Sequence, residues 1–179
     1  GEIIFNTARA DATQVYYSVD KTEIYTVPPE GQIIIHDADS GRVKDTLTAK
    51  ERYNGESAYD PNSGWLALGG LDGQIKVWDA AARQSMVTIE AHKLQITALA
   101  FSSDGERLAS GSDDQVVKVW DWRNRQAMAE MPASSLTMTF APDGTLLFGE
   151  HMIGRTMGHP SITTKFELLP DRDVIGDGH

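Results

Sequence analysis

Apolar residues in this chain come in short runs that end at turns rich in Gly, Asp, Asn and Ser. Ile96 to Phe101 is apolar and strand-prone, and Ser102-Ser103-Asp104-Gly105 follows as a turn in which Gly supplies a positive φ at low cost. Arg107 to Gly111 reads as a second short strand, Ser112-Asp113-Asp114-Gln115 as a second turn, and Val116 to Trp120 alternates as a third strand. A polar stretch after Asp121 leads to a weaker fourth strand near Ala127 to Met131. The stretch before it repeats this plan and closes with a strand near Met86 to Ile89. No segment sustains an apolar period of about 3.6 residues with helix caps. The pattern predicts an all-β chain of four-stranded units.

The units recur at a fixed distance. Ile35-His36-Asp37, Val77-Trp78-Asp79 and Val119-Trp120-Asp121 place their aspartates 42 residues apart, twice over. Between Tyr59–Asp79 and Phe101–Asp121, eight of 21 positions are identical without a gap. Among them are Leu66/Leu108, Ala67/Ala109, Gly69/Gly111, Asp72/Asp114 and Lys76/Lys118. The first unit is more divergent but keeps Tyr17, Gly31, Gln32, Ile33 and Asp37 in register. A fourth begins at Phe140-Ala141-Pro142-Asp143-Gly144 and loses the pattern after Gly149. A repeated ungapped period of this length points to a repeat architecture. The units are expected near 13–47, 55–89, 96–131 and 135–168, with 169–179 as a Pro-, Asp- and Gly-rich tail or linker.

These residues resemble the WD-repeat β-propeller family over roughly 13–150, most fully in the motifs between Phe101 and Asp121. The resemblance implies a β-propeller of four-stranded antiparallel blades, of which about four are present. It also implies a hydrogen-bonded structural relay within a blade, carried in the third unit by His92, Ser110, Asp114 and Trp120. A closed chain of donors and acceptors satisfies each buried polar group at once. In the second unit Leu68 replaces the serine and Lys50 the histidine, so the relay is broken there; the first has His36 for Trp and Glu30 for Asp. The fourth has no recognisable relay.

Members of that family often bind partners on the face carrying the loop before the first strand and the turn before the third. Here those positions are Pro29, Leu71 and Asp113, with Lys93 and Gln95 beside His92. They suit a partly apolar, partly basic partner, weighed against ordinary solvated turns. Propellers have 4 to 8 blades and this family most often seven, so the expected arc is partial or completed by oligomerisation. An open arc leaves an apolar blade face at each end, expected to be covered by another chain, a second copy or a capping protein. Ile3-Ile4-Phe5 is a candidate outer strand latching the last blade, and Glu150 to Pro160 reads as an insertion before a final strand at Ser161 to Leu168.

Composition narrows the function. Of the 179 residues, 40% are apolar and 23% charged, ordinary for a soluble domain. Net charge is −10, from 26 acidic and 16 basic residues, and the basic residues are scattered. That disfavours nucleic acid and anionic membrane surfaces. The longest apolar runs, such as Ile33-Ile34-Ile35, are far short of the roughly 20 residues that span a bilayer. The absence of cysteine excludes disulfides, thiolate metal sites and cysteine nucleophiles, and suits cytosol and periplasm equally. A chain opening on Gly1 rather than Met is expected to be processed, tagged or excerpted, which leaves an earlier signal open.

Candidate chemistry is sparse. Glu150, His151 and His159 lie close in sequence but lack a further ligand at a metal-like spacing, so an irregular loop is the plainer reading. Asp171 to Gly176 resembles a calcium loop faintly, with Ile175 at a ligand position and no closing glutamate. His92, Ser110 and Asp114 imitate a hydrolase triad on paper, but a relay serine is expected to face Trp120 rather than a cleft. No nucleophile elbow or phosphate-cradling loop occurs. The expected function is a non-catalytic protein-interaction scaffold or structural subunit, without cofactor or metal; the alternative is a sensor or substrate-docking arm of a larger enzyme.

Overall fold

A computed structural model describes residues 14–29, 31–48, 53–133, 137–154 and 161–169. The first sheet holds β1 (Gln14–Tyr17), β2 (Glu23–Val27), β3 (Gln32–Asp37) and β4 (Val43–Thr48). The second holds β5 (Tyr53–Asp60), β6 (Trp65–Gly70), β7 (Gln74–Asp79) and β8 (Gln84–Glu90). The third holds β9 (Ile96–Phe101), β10 (Arg107–Ser112), β11 (Val116–Asp121) and β12 (Gln126–Pro132). The fourth holds β13 (Thr137–Phe140), β14 (Leu146–Gly154) and β15 (Ser161–Leu169). All are antiparallel meanders, and no described helix is long and apolar enough to cross a membrane.

The sheets repeat down to their irregularities. Ile24 pairs with His36, Leu66 with Trp78 and Leu108 with Trp120. In the first three sheets the third strand carries a register shift at the same place, between Ile35/His36, Val77/Trp78 and Val119/Trp120. Asp37, Asp79 and Asp121 each accept, through Oδ1, the backbone N–H three residues on, at 2.8, 2.8 and 3.1 Å. This Asx-type bond closes the turn into the fourth strand. Its last residue, Gly41, Arg83 or Arg125, has φ of 70°, 56° or 57°.

Period-2 alternation gives the second and third sheets two apolar faces each, and each face meets a different neighbour. Tyr25, Val27, Ile33 and Ile35 of the first sheet pack on Leu66, Leu68 and Trp78 of the second. From the opposite face of the second, Ala67, Ile75, Val77 and Ile89 meet Ile96, Leu99, Leu108 and Trp120 of the third. The third then packs Ala109, Val117 and Val119 on Leu146 and Phe148 of the fourth. A fully buried Leu, Ile or Val contributes about 1.5–3 kcal/mol, so these seams hold the sheets together. The first strands run side by side, β1 by β5, β5 by β9 and β9 by β13. The sheets are therefore blades fanned around an axis.

Two features differ from expectation. Residues 150–154, read as the start of an insertion, continue β14, which pairs with β15 from Leu146–Leu169 to Gly154–Ser161. The fourth blade has three strands among the described residues, where four were expected. The Ile3–Phe5 segment, His159, the 171–176 stretch, Lys50 and Glu30 lie outside the described residues, as do the side chains of Glu150 and His151.

Candidate partner-binding face

His92 leaves β8 in the loop 91–95 and reaches under the turn that joins β10 to β11. Trp120 Nε1 donates to Ser110 Oγ at 2.9 Å, and Ser110 Oγ lies 2.7 Å from His92 Nε2. His92 Nδ1 lies 3.1 Å from both carboxylate oxygens of Asp114. Asp114 also accepts the backbone N–H groups of Lys93 at 3.0 Å and Val116 at 3.1 Å. Every group is satisfied when Ser110 donates to Nε2 and Nδ1–H donates to Asp114. Burial pushes the His92 pKa below its usual value, outweighing the upward pull of Asp114. Burial acts to raise Asp114, but the Lys93 N–H and the His92 ring hold it below the usual carboxylate range. Ser110 is fully buried, so its Oγ meets His92 and Trp120 and no solvent.

The same positions in other blades have different fates. In the first, Thr26 Oγ1 lies 3.0 Å from His36 Nε2, reproducing the link between second and third strands with other residue types. Thr26 stands 84 residues before Ser110, a correspondence that the 42-residue period encodes. In the second blade, Leu68 offers no acceptor, and Trp78 Nε1 is buried without a hydrogen-bond partner among the described residues.

The relay lies beneath a face built from the loop 91–95 and the turns 71–73 and 113–115. Gly73 has φ of 83°, and a Cβ there would stand 2.2 Å from the His92 carbonyl oxygen, so only glycine lets turn and loop meet this closely. His92 N–H donates to Gly73 O at 3.0 Å, and Ser112 Oγ to Leu94 O at 3.0 Å. Gln95 Nε2 donates to Asp113, whose own N–H donates to Gln95 O at 3.1 Å. Leu71 and Leu94 project from these anchored segments at 39% and 51% exposure. Lys93 and Asp113 are exposed beside them, while Gln95 is half-buried. Pro29 is exposed on the corresponding turn of the first blade. Leu94 escaped the sequence reading because its exposure depends on the loop's path rather than on any period.

The opposite ends of the blades carry polar ties. Glu23, buried in the first blade, is 2.7 Å from both Arg83 Nη2 of the second and Lys44 Nζ. Between the second and third, the Arg123 guanidinium lies 4.2 Å from the Trp65 ring centre and 4.6 Å from that of Trp122. Those rings meet edge-on at 4.9 Å. Among the described residues no cluster of three His, Asp or Glu side chains is arranged to hold a metal ion.

Residues 57–79 and 83–121 match the WD domain, G-beta repeat family. These two stretches are WD40 repeats. No curated protein matches the chain by sequence. Among solved structures, the chain is similar to one in "Crystal Structure of Mitotic Checkpoint Complex", with TM-score 0.69 and 25% identity over 83% of this chain and 47% of that one. It is also similar to the RRP9 WD40 repeats, with TM-score 0.70 and 19% identity over 82% of this chain and 47% of that one. The latter likeness concerns the fold alone. The chain thus spans about half the length of each of these propellers.

Proposed function

We propose that this WD40 chain is a non-catalytic scaffold that binds a protein partner through the face around Leu71 and Leu94. The observation that carries this reading is the pairing of exposed apolar side chains with a rigid support. The relay of His92, Ser110, Asp114 and Trp120 fixes the loop from which Leu94 projects, and the His92 N–H bond to Gly73 O ties the turn carrying Leu71 to that loop. A preformed surface loses little conformational entropy on binding. Lys93 and Asp113 at the rim supply opposite charges that orient the partner and exclude mismatched ones. The mitotic checkpoint neighbour is by its title part of a protein complex, and this supports the same class of role. WD40 members are generally non-catalytic scaffolds. The burial of Ser110 argues likewise against a hydrolase reading of the His, Ser and Asp set.

The test is affinity purification from the native source, with mass spectrometry of the co-purifying proteins. Leu71→Asp and Leu94→Asp are expected to remove a reproducible partner while leaving the β-type circular dichroism unchanged. Retention of every partner by both variants would falsify the assignment of this face.

A further inference from the structure

We infer that protonation of His92 unseats the loop 91–95 and carries Leu94 off the candidate face, so that the chain holds its partner at neutral pH and releases it in acid. The release of a partner rests on the reading of that face given above. The movement of the loop rests on the relay alone.

The proton count of the relay carries the inference. With the ring neutral, three protons serve three bonds. The Trp120 indole N–H donates to Ser110 Oγ, the Ser110 hydroxyl to His92 Nε2, and His92 Nδ1–H to Asp114. A proton added at Nε2 turns that nitrogen from acceptor into donor. Ser110 Oγ has lone pairs for both the indole and the imidazolium, but its own proton then has nowhere to go. His92 and Trp120 are its only side-chain partners among the described residues, and Ser110 is fully buried. An orphaned donor in such a place disfavours the arrangement by about tenfold or more.

The charges around the ring are mixed. Asp114, on the turn between β10 and β11, and Glu130 of β12 attract the imidazolium, and Lys118 of β11 repels it. Burial outweighs them and pushes the His92 pKa below its usual value. The ring has no solvent contact, whereas Lys93 and Leu94, which follow it, are exposed. An imidazolium therefore reaches water by an outward movement of its own loop. Ala91 and Ile96 at the loop's ends are buried in the seam between the second and third blades, which confines the movement to 92–95. It breaks the bonds that seat Leu94, from Lys93 N–H to Asp114 at 3.0 Å and from Ser112 Oγ–H to Leu94 O at 3.0 Å.

The test is a pH titration of the chain followed by nuclear magnetic resonance, which needs no partner. The His92 ring is expected to titrate with a midpoint below about 6.5. The Trp120 indole N–H and the Lys93 and Leu94 amides are expected to shift with that same midpoint. Protection of the Lys93 amide from hydrogen exchange, corrected for the intrinsic effect of pH, is expected to fall about tenfold across it. Val77, within the β7 ladder, is expected to keep its protection. In His92→Asn the loop signals are expected to lose this step; should that variant lose its β signal, the coincidence of midpoints in the parent decides alone. Loop signals that stay still through the His92 midpoint, or that first move with Asp114 below about 4, overturn the inference. So does a step retained in His92→Asn, or loss of Val77 protection at the same midpoint, which would mean unfolding of the whole blade pair. Partners retained by both Leu71→Asp and Leu94→Asp overturn the release of a partner while the loop's titration stands, so the two failures are told apart.

Discussion

Trp78 and Trp120 hold the same register position in neighbouring blades, yet the indole N–H of Trp120 reaches Ser110 at 2.9 Å while that of Trp78 meets no acceptor among the described residues. The difference follows from one position, Ser110 against Leu68. An orphaned buried donor costs about 1–3 kcal/mol, whereas a satisfied one contributes about 1 kcal/mol. Trp120→Phe is therefore expected to destabilise the chain by roughly 1 kcal/mol more than Trp78→Phe, because the second removes an orphan along with the ring area. Denaturant midpoints of the two variants decide the matter; equal shifts would contradict it.

The relay also predicts an acid response. Burial keeps His92 less easily protonated folded than unfolded, so the unfolded chain binds the extra proton as pH falls through the unperturbed value of about 6.5. Stability is expected to be level above that value and to decline below it. The depressed Asp114 pKa works in the same direction at lower pH: its contribution is complete above about 4 and is lost as pH falls through the lower folded value. Thermal midpoints between pH 7 and 5 should fall in the parent chain and fall less steeply in His92→Asn, whose stability is lower throughout.

Backbone conformation gives a third expectation. Gln115 and Arg125 have φ of 63° and 57°, at positions where the first blade uses Gly31 and Gly41. An L residue in this region costs about 1–2 kcal/mol, part of which the greater unfolded freedom of glycine returns. Arg125→Gly is expected to raise stability by about 0.5–1 kcal/mol. Gly73→Ala is expected to lower it by more, because the added carbon meets the His92 carbonyl. Chemical denaturation of the pair measures both signs.

The tie between the first two blades should be sensitive to salt. Glu23 receives Arg83 and Lys44 at 2.7 Å each, with the two cations partly exposed. Glu23→Ala is expected to cost about 1 kcal/mol at low ionic strength and less at high salt. A loss independent of salt would assign the effect to packing instead.

Much of the fold was legible because its signal is periodic. The spacing of Asp37, Asp79 and Asp121 placed three equivalent third strands, and alternation within each strand allotted side chains to two faces. Where the period ended, so did legibility. Residues 150–154 of β14 were read as part of an insertion because they match no earlier unit, although strand pairing needs no such match. Thr26 went unnoticed as the partner of His36 because two residue types had changed together, leaving the geometry but not the motif. At the candidate face, Leu71 follows from its place in the repeat. Leu94 does not, since only the path of its loop brings it into solvent.

The stacked arrangement of Trp65, Arg123 and Trp122 gives the chain a built-in optical gauge. All four tryptophans line the first two seams, and one close pair straddles the second blade and the third. Intrinsic emission therefore tracks the separation of those blades and is blind to the hairpin at the far end. Loosening that starts in the fourth blade would lower the far-ultraviolet signal before the indole spectrum moved.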